Sequence, residues 1–230
     1  MKDNFAKQVI KFYDSLNLDV SLPEKVNILN PFSNEEVKEI IKEFYLKFYN
    51  NSRKRIFVLG INPGRFGAGV TGVTFTDPIN LLKYCKIKNN LIKKHELSSQ
   101  FIYKVINTYG GVKKFYSKFY LGAVSPIGFV KNGKNINYYD LNNINQIEGF
   151  IVENIIKQIG FGAIRKVCIC LGEGKNYRLL KNFNEKYGFF EEIIPLPHPR
   201  FIMQYKRKKL DDYVKLYIKT FEKYEDAFRT

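Results

Sequence analysis

Asn62 stands where a strand-like run, Arg55 to Leu59 (RIFVL), breaks into Gly60-Ile61-Asn62-Pro63-Gly64, with further glycines at Gly67, Gly69 and Gly72. A short apolar run rich in β-formers belongs inside a parallel sheet. Its break places a polar side chain and several backbone N–H groups at the carboxyl end of a strand, where open α/β sheets bind their ligands. The chemistry on offer is hydrogen bonding. An amide and a row of N–H donors can hold a water or a polar substrate, but neither is a strong base. Phosphate-loop patterns do not fit. Gly64, Gly67 and Gly69 run G-x-x-G-x-G, the reverse of the dinucleotide fingerprint, and no P-loop lysine follows. Read alone, such a stretch is more often a structural turn, because asparagine and glycine tolerate turn geometry.

Two more segments carry polar groups in stiff or turning surroundings. Ser125 to Leu141 reads SPIGFVKNGKNINYYDL, with a hairpin signal at Asn132-Gly133 just before Asn135. Pro195 to Phe201 reads PLPHPRF, in which Pro195, Pro197 and Pro199 stiffen the chain around His198. Taken in order, G-x-N-P-G-x-F-G with T-G-V-x-F, then these two segments, resemble the motifs of the single-strand-selective monofunctional uracil-DNA glycosylases. That family is a branch of the uracil-DNA glycosylase superfamily, and the resemblance is spread over more than half the chain. This sequence departs from the family pattern at three places. Arg65 replaces a proline between the glycine and Phe66, Thr74 replaces the proline before Phe75, and the H-P-S-P-R stretch is shortened to His198-Pro199-Arg200. The pattern is that of a divergent bacterial branch.

The resemblance implies a base-excision repair enzyme. It would hydrolyse the N-glycosidic bond of uracil or a related deaminated base, leave an abasic site, and need no catalytic lysine. Such a reaction develops oxocarbenium character on the sugar and negative charge on the base. Carried over residue by residue, Asn62 holds the attacking water, with Ile61, Pro63 and Gly64 supplying backbone contacts. His198 donates a hydrogen bond to uracil O2, Asn135 pairs with the uracil edge, and Phe75 stacks on the flipped base. Arg200 and Phe201 fill the vacated space or grip the backbone, while Lys206, Arg207 and Lys208 contact DNA phosphates. From the residues alone, plainer readings stay open: Asn62 and His198 as satisfied turn residues, Phe75 as core, the basic cluster as a solvated helix start. Two functional alternatives also stay open, a catalytically inactive binder of nucleic acid or lesions and a small-molecule nucleoside hydrolase.

Composition narrows the partners. With 38 Lys and Arg against 22 Asp and Glu, the net charge is +16 in 230 residues. Such an excess favours polyanions, although the abundance of Lys, Asn, Ile, Tyr and Phe has the character of an AT-rich coding bias. No apolar run is long enough to span a bilayer. The start, MKDNFAKQVIKFYDSL, is amphipathic and lacks the features of a signal peptide, so the expected compartment is the cytoplasm. Three cysteines, Cys85, Cys168 and Cys170, supply neither a disulfide framework nor the four thiolates of an iron–sulfur cluster. Two histidines make a zinc site improbable. The expectation is a monomer with no cofactor, metal or cluster.

These side chains need a scaffold, and hydrophobic periodicity supplies one. Residues 1–230 read as one α/β domain, with residues 1–50 forming N-terminal helices packed on the core. Helices are expected over Phe5–Leu16, from a Ser33 cap with Glu36 completing a capping box to about Phe48, from Asp77-Pro78, over Ser99–Thr108, Asn143–Ile159 and Lys175–Tyr187, and at the end of the chain. Strands are expected over Arg55–Gly60, Tyr120–Val124, Lys166–Leu171 and Glu191–Pro195. Strands alternating with helices imply a three-layer α/β/α fold around a mostly parallel four-stranded sheet, with every motif loop following a strand.

Overall fold

The computed structural model describes residues 3–20, 22–141 and 144–225. In chain order its elements are α1 (Phe5–Asp14), β1 (Val26–Leu29), α2 (Glu35–Tyr49), β2 (Arg55–Gly60), α3 (Ala68–Thr71), α4 (Pro78–Lys83), α5 (Leu97–Tyr109) and α6 (Val112–Lys118). Then follow β3 (Phe119–Ala123), β4 (Gly128–Lys131), β5 (Lys134–Ile136), α7 (Ile144–Gly160), β6 (Ala163–Leu171), α8 (Lys175–Tyr187), β7 (Glu192–Leu196), α9 (Pro199–Tyr205) and α10 (Leu210–Glu225).

The expected sheet is present, and all four of its strands are parallel, in the order β3-β2-β6-β7. Every residue of β2 and β3 is buried, as are Val167–Leu171 of β6. Because side chains alternate between faces, full burial requires helices on both sides, which makes the three layers. Strand edges fall within a few residues of the expected ones.

The amino end of β2 is anchored by a buried cation. Arg55 is fully buried, and its guanidinium lies 4.5 Å from the Phe5 ring centroid and 4.6 Å from that of Tyr49. Its Nε donates to Tyr116 O (2.9 Å), Nη1 to Arg53 O (2.8 Å) and Nη2 to Asn51 Oδ1 (3.1 Å). Two aromatic faces and three acceptors replace the water it lost, tying α1, α2 and α6 to the sheet. Phe5 and Val9 of α1, and Ile40, Phe44 and Tyr49 of α2, share one hydrophobic cluster with Phe57 and Tyr120.

A second, three-stranded antiparallel sheet, β1-β4-β5, was not expected. Its hairpin closes through Asn132 (φ +49°) and Gly133 (φ +71°), between the paired Lys131 and Lys134. Two consecutive positive φ values are what a type I′ turn needs and what Asn-Gly supplies. The stretch read as a loop is therefore a β-hairpin, and Asn135 is presented by a strand.

Two other expectations need correction. Ser33 does not cap α2. It ends a 3-10 turn, Pro31–Ser33, and the cap passes to Asn34, whose Oδ1 accepts the Val37 N–H (3.2 Å). Glu36 accepts the Asn90 N–H instead of closing a capping box. The His198 loop is also shorter than expected, because α9 starts at Pro199 and carries Arg200 and Phe201 on a helix. The expected start of α7 at Asn143 lies outside the described residues.

Candidate active site

Three loops at the carboxyl ends of β2, β3 and β7 meet around a cavity of about 180 Å³. One water needs only about 10–15 Å³ measured this way, so the space accepts a planar base together with a water. Of the residues singled out from sequence, Ile61, Asn62, Pro63, Gly64, Phe75, Asn135, His198 and Arg200 all line it. Phe201, Lys206, Arg207 and Lys208 do not. They continue outward along α9 and the 3-10 turn after it, where Phe201 is 43% exposed and Tyr205 is 71% exposed.

The Asn62 amide is locked by backbone. Nδ2 donates to Pro63 O and to Ile136 O (3.3 Å each), and Oδ1 accepts the Tyr138 N–H (3.0 Å). Both amide protons are taken, so the amide cannot flip, and what remains is one lone pair on Oδ1. That lone pair can accept a hydrogen from water and leave the water oxygen free to attack. Aspartate is disfavoured at this position, because a carboxylate has no proton to give to two carbonyl oxygens.

The hairpin reaches Asn62 because glycine permits it. A Cβ on Gly128 would come within 2.3 Å of Pro63 O, so β4 packs backbone to backbone against the loop. On β5, Asn135 Oδ1 accepts the Arg65 N–H (3.2 Å), which turns Nδ2 toward Gly64, where an added Cβ would lie 3.2 Å away. The free end of this amide is its donor. A donor meets a uracil carbonyl and opposes the amino group of cytosine.

His198 ends β7's loop and caps α9. Its Nδ1 accepts the Arg200 N–H (3.2 Å), so the proton of the neutral ring sits on Nε2. Burial, with a smaller contribution from Arg200, pushes its pKa down to about 4. The ring is therefore neutral at physiological pH and offers one N–H. The Tyr217 hydroxyl of α10 donates to Pro197 O and steadies the loop.

Phe75 closes the cavity near His198, their ring centroids 6.0 Å apart. A Cβ on Gly60 would meet the Phe75 ring at 2.6 and 2.8 Å, so the strand ends in glycine to let the ring lie across it. Phe75 itself has φ +54°, an unusual value for a side chain of this size. Thr71 holds that turn, its hydroxyl donating to Thr76 O (2.7 Å) and accepting the Val73 N–H (3.1 Å).

Further lining residues escaped sequence reading: Phe66, Thr74, His95, Glu96, Ser98 and Asn137 among them. Glu96 caps α5 with Oε2 accepting the Ser99 N–H (2.7 Å). His95 and Glu96 sit in a polar run with no glycine or strand signal, so only the packing of α5 against the first motif brings them in. The three cysteines are buried free thiols, and burial pushes Cys85 and Cys170 up to about 12.

This geometry has known counterparts. A model of the uracil DNA glycosylase superfamily matches residues 46–222. Among solved structures, wild-type Pedobacter heparinus SMUG2 is similar to this chain, with 43% identity and a TM-score of 0.93. The match covers 96% of this chain and 98% of that one. No curated protein matches. The chain belongs to the uracil DNA glycosylase superfamily.

Proposed function

We propose that this monofunctional DNA glycosylase hydrolyses the C1′–N1 bond of a flipped deoxyuridine with Asn62, Asn135, His198 and Phe75 in the roles their hydrogen bonding leaves open. The observation that carries this reading is the state of three polar side chains in one cavity. Each is held by backbone and keeps one group for a substrate: the second lone pair of Asn62 Oδ1, Asn135 Nδ2 and His198 Nε2–H.

The base lies against Phe75, with Asn135 Nδ2 donating to one of its carbonyls. As the C1′–N1 bond breaks, its electron pair passes to the base, and His198 Nε2–H donates to the oxygen where charge collects. A preorganised neutral donor in a dry cavity stabilises that charge without reorganising. The sugar becomes oxocarbenium-like. The water on Asn62 Oδ1 bonds to C1′, and the proton it releases passes through solvent to the departed base anion. Because Asn62 is no base, departure of the base leads and attack by water follows. The products are free uracil and an abasic site. Among the described residues no lysine lines the cavity, and the reading is hydrolysis rather than a Schiff base.

Outside the cavity, Arg200 and Phe201 would enter the space the base vacates, and Lys206, Arg207 and Lys208 would meet phosphates. The same reading takes residues 1–230 as one domain acting as a monomer in the cytoplasm, without metal or cluster. Among the described residues, no helix is long and apolar enough to cross a membrane.

The test uses end-labelled oligonucleotides carrying one uracil, single-stranded and opposite G or A, followed by alkaline cleavage. Wild type is expected to give alkali-dependent product that Asn62→Ala loses. Product unchanged in the variant would overturn the assignment of Asn62. Turnover of free deoxyuridine as efficient as that of DNA would move the substrate class to nucleosides.

A further inference from the structure

Arg65 occupies the position where the family pattern has proline, and nothing in the reaction above uses its side chain. The guanidinium lies 5.0 Å from the Phe66 ring centroid, and the Lys94 ammonium lies 3.9 Å from the same centroid. Phe66 in turn lines the active-site cavity. Neither cation is in an ion pair among the described residues, although ten such pairs occur elsewhere. Arg65 Nε is also the one buried side-chain N or O among them with no hydrogen-bond partner. A buried charged donor without an acceptor costs free energy unless a partner arrives. Its Nη1 points toward the hairpin turn, 4.0 Å from where a Cβ on Gly133 would be.

From these placements we infer that Arg65 and Lys94, held on the Phe66 ring, form a clamp for a backbone phosphate of the DNA strand that carries the flipped nucleotide. The inference rests on DNA being the substrate. A guanidinium held on an aromatic face presents its N–H groups in a fixed plane suited to a phosphate's oxygens. Lys94 adds a second, point-like charge to the same anion. Location selects the ligand. Phe66 lines the cavity that takes the base and both cations lie on its ring, so the phosphate next to that nucleotide is the anion within reach. Phe66 carries both cations and is thereby less free to stack a base. Arg65 also makes a second contribution through its backbone, since its N–H orients Asn135. The residue that would grip the strand is thus tied to the one that would read the base.

The α9 side shows a looser version of the same device, with Lys206 Nζ 5.9 Å from the Phe201 ring centroid. There the ring is exposed and the lysine stands alone on it. The Arg65 clamp is expected to contribute more, because its geometry is set before DNA arrives.

The experiment compares wild type, Arg65→Gln, Arg65→Lys, Lys94→Gln and the Arg65→Gln/Lys94→Gln pair on one uracil oligonucleotide across a salt series. Steady-state kcat and KM are measured alongside Kd by anisotropy. The expected loss falls on KM and Kd, roughly five- to tenfold for Arg65→Gln at low salt. The slope of log Kd against log salt becomes less negative by about 0.7–0.9 for each cation removed, and Arg65→Lys restores the slope. Unchanged slopes in Arg65→Gln and Lys94→Gln would overturn the clamp. So would a loss confined to kcat, which would place Arg65 behind Asn135 alone. Lys94 lies on an exposed stretch, so its variant still reads the clamp if Arg65→Gln folds poorly. If wild type released no uracil, the catalytic reading would fail by itself, while the salt slopes of Kd would still decide the clamp.

Discussion

Arg55 and Arg65 flank the same strand and are treated in contrasting ways. Arg55, at the amino end of β2, is fully buried between Phe5 and Tyr49, and each of its three guanidinium nitrogens has an acceptor. Arg65, in the loop beyond the carboxyl end, has a buried Nε with no acceptor and lies on the ring of Phe66. The contrast extends to their neighbours. Around Arg55 the hydrogen-bonding capacity is filled by protein, and the region is a platform. Beyond the carboxyl end, three polar side chains of the cavity each keep one group open: a lone pair on Oδ1 of Asn62, Nδ2 of Asn135 and Nε2 of His198. A saturated end gives rigidity, and an unsaturated end gives a place for substrate. Substitutions at the first end should therefore move stability, and substitutions at the second should move catalysis.

The largest effect is expected at the platform. Arg55→Ala empties a packed site and strands Tyr116 O, Arg53 O and Asn51 Oδ1, at a cost of about 3–5 kcal/mol in urea unfolding. The fraction that stays folded should turn over normally, and a selective loss of kcat would break the division between the two ends. Asn62→Ala should do the reverse, lowering kcat by about 10²–10³-fold while costing less stability than Arg55→Ala, because its three backbone partners lie at a half-buried site that water can reach. Asn62→Asp sharpens the point. It introduces a base but sets a carboxylate against two carbonyl oxygens, so it should destabilise the fold by about 1–3 kcal/mol and fail to raise kcat.

Next comes pH. His198 is neutral in the folded protein because its pKa is pushed from 6.5 down to about 4. The unfolded chain binds more protons than the native one between those values, so this group's contribution to stability is complete above about pH 6.5. It is lost as pH falls toward 4. Activity should show no inflection near 6.5. A histidine NMR titration should find the Nε2–H tautomer with a midpoint near 4, and a midpoint above 6 would remove the neutral-donor role. Gly60→Ala should lower kcat/KM about tenfold through one displaced ring, a loss of roughly 1.4 kcal/mol. In a double-mutant cycle with Phe75→Ala most of that loss should vanish. The smallest shift is the change in salt slope expected of Arg65→Gln.

Much of this was legible in the sequence. RIFVL and KVCICL lie in β2 and β6, because continuous apolar runs suit strands buried on both faces, while EIIPL forms the partly exposed edge strand β7. Asp77-Pro78 starts α4, with Asp77 Oδ1 accepting the Ile79 and Asn80 N–H groups. The β4–β5 hairpin was legible only in part. Its Asn-Gly turn was plain, but β1, its partner, is only four residues, two of them exposed and two half-buried, and has no amphipathic signature. Ser33 misled because capping preference alone does not say which of two adjacent polar residues lies in the extended backbone that a cap requires. The Pro31 turn settled that in favour of Asn34.

The sequence by itself determined the strands of the parallel sheet, the order of the motif loops along them and the identity of the polar residues at their tips. Those follow from local pattern, since burial on two faces and turn chemistry are written within a few residues. Only the tertiary structure decided which atom of each polar residue faces the cavity. Asn62 is oriented by Ile136 and Tyr138, Asn135 by the Arg65 backbone, and His198 by the first turn of α9. The first two orientations come from contacts some seventy residues apart, and even the third needs the helical turn that closes after Pro199. An amide or an imidazole has two different ends, and the partner that takes one of them chooses the end left for chemistry.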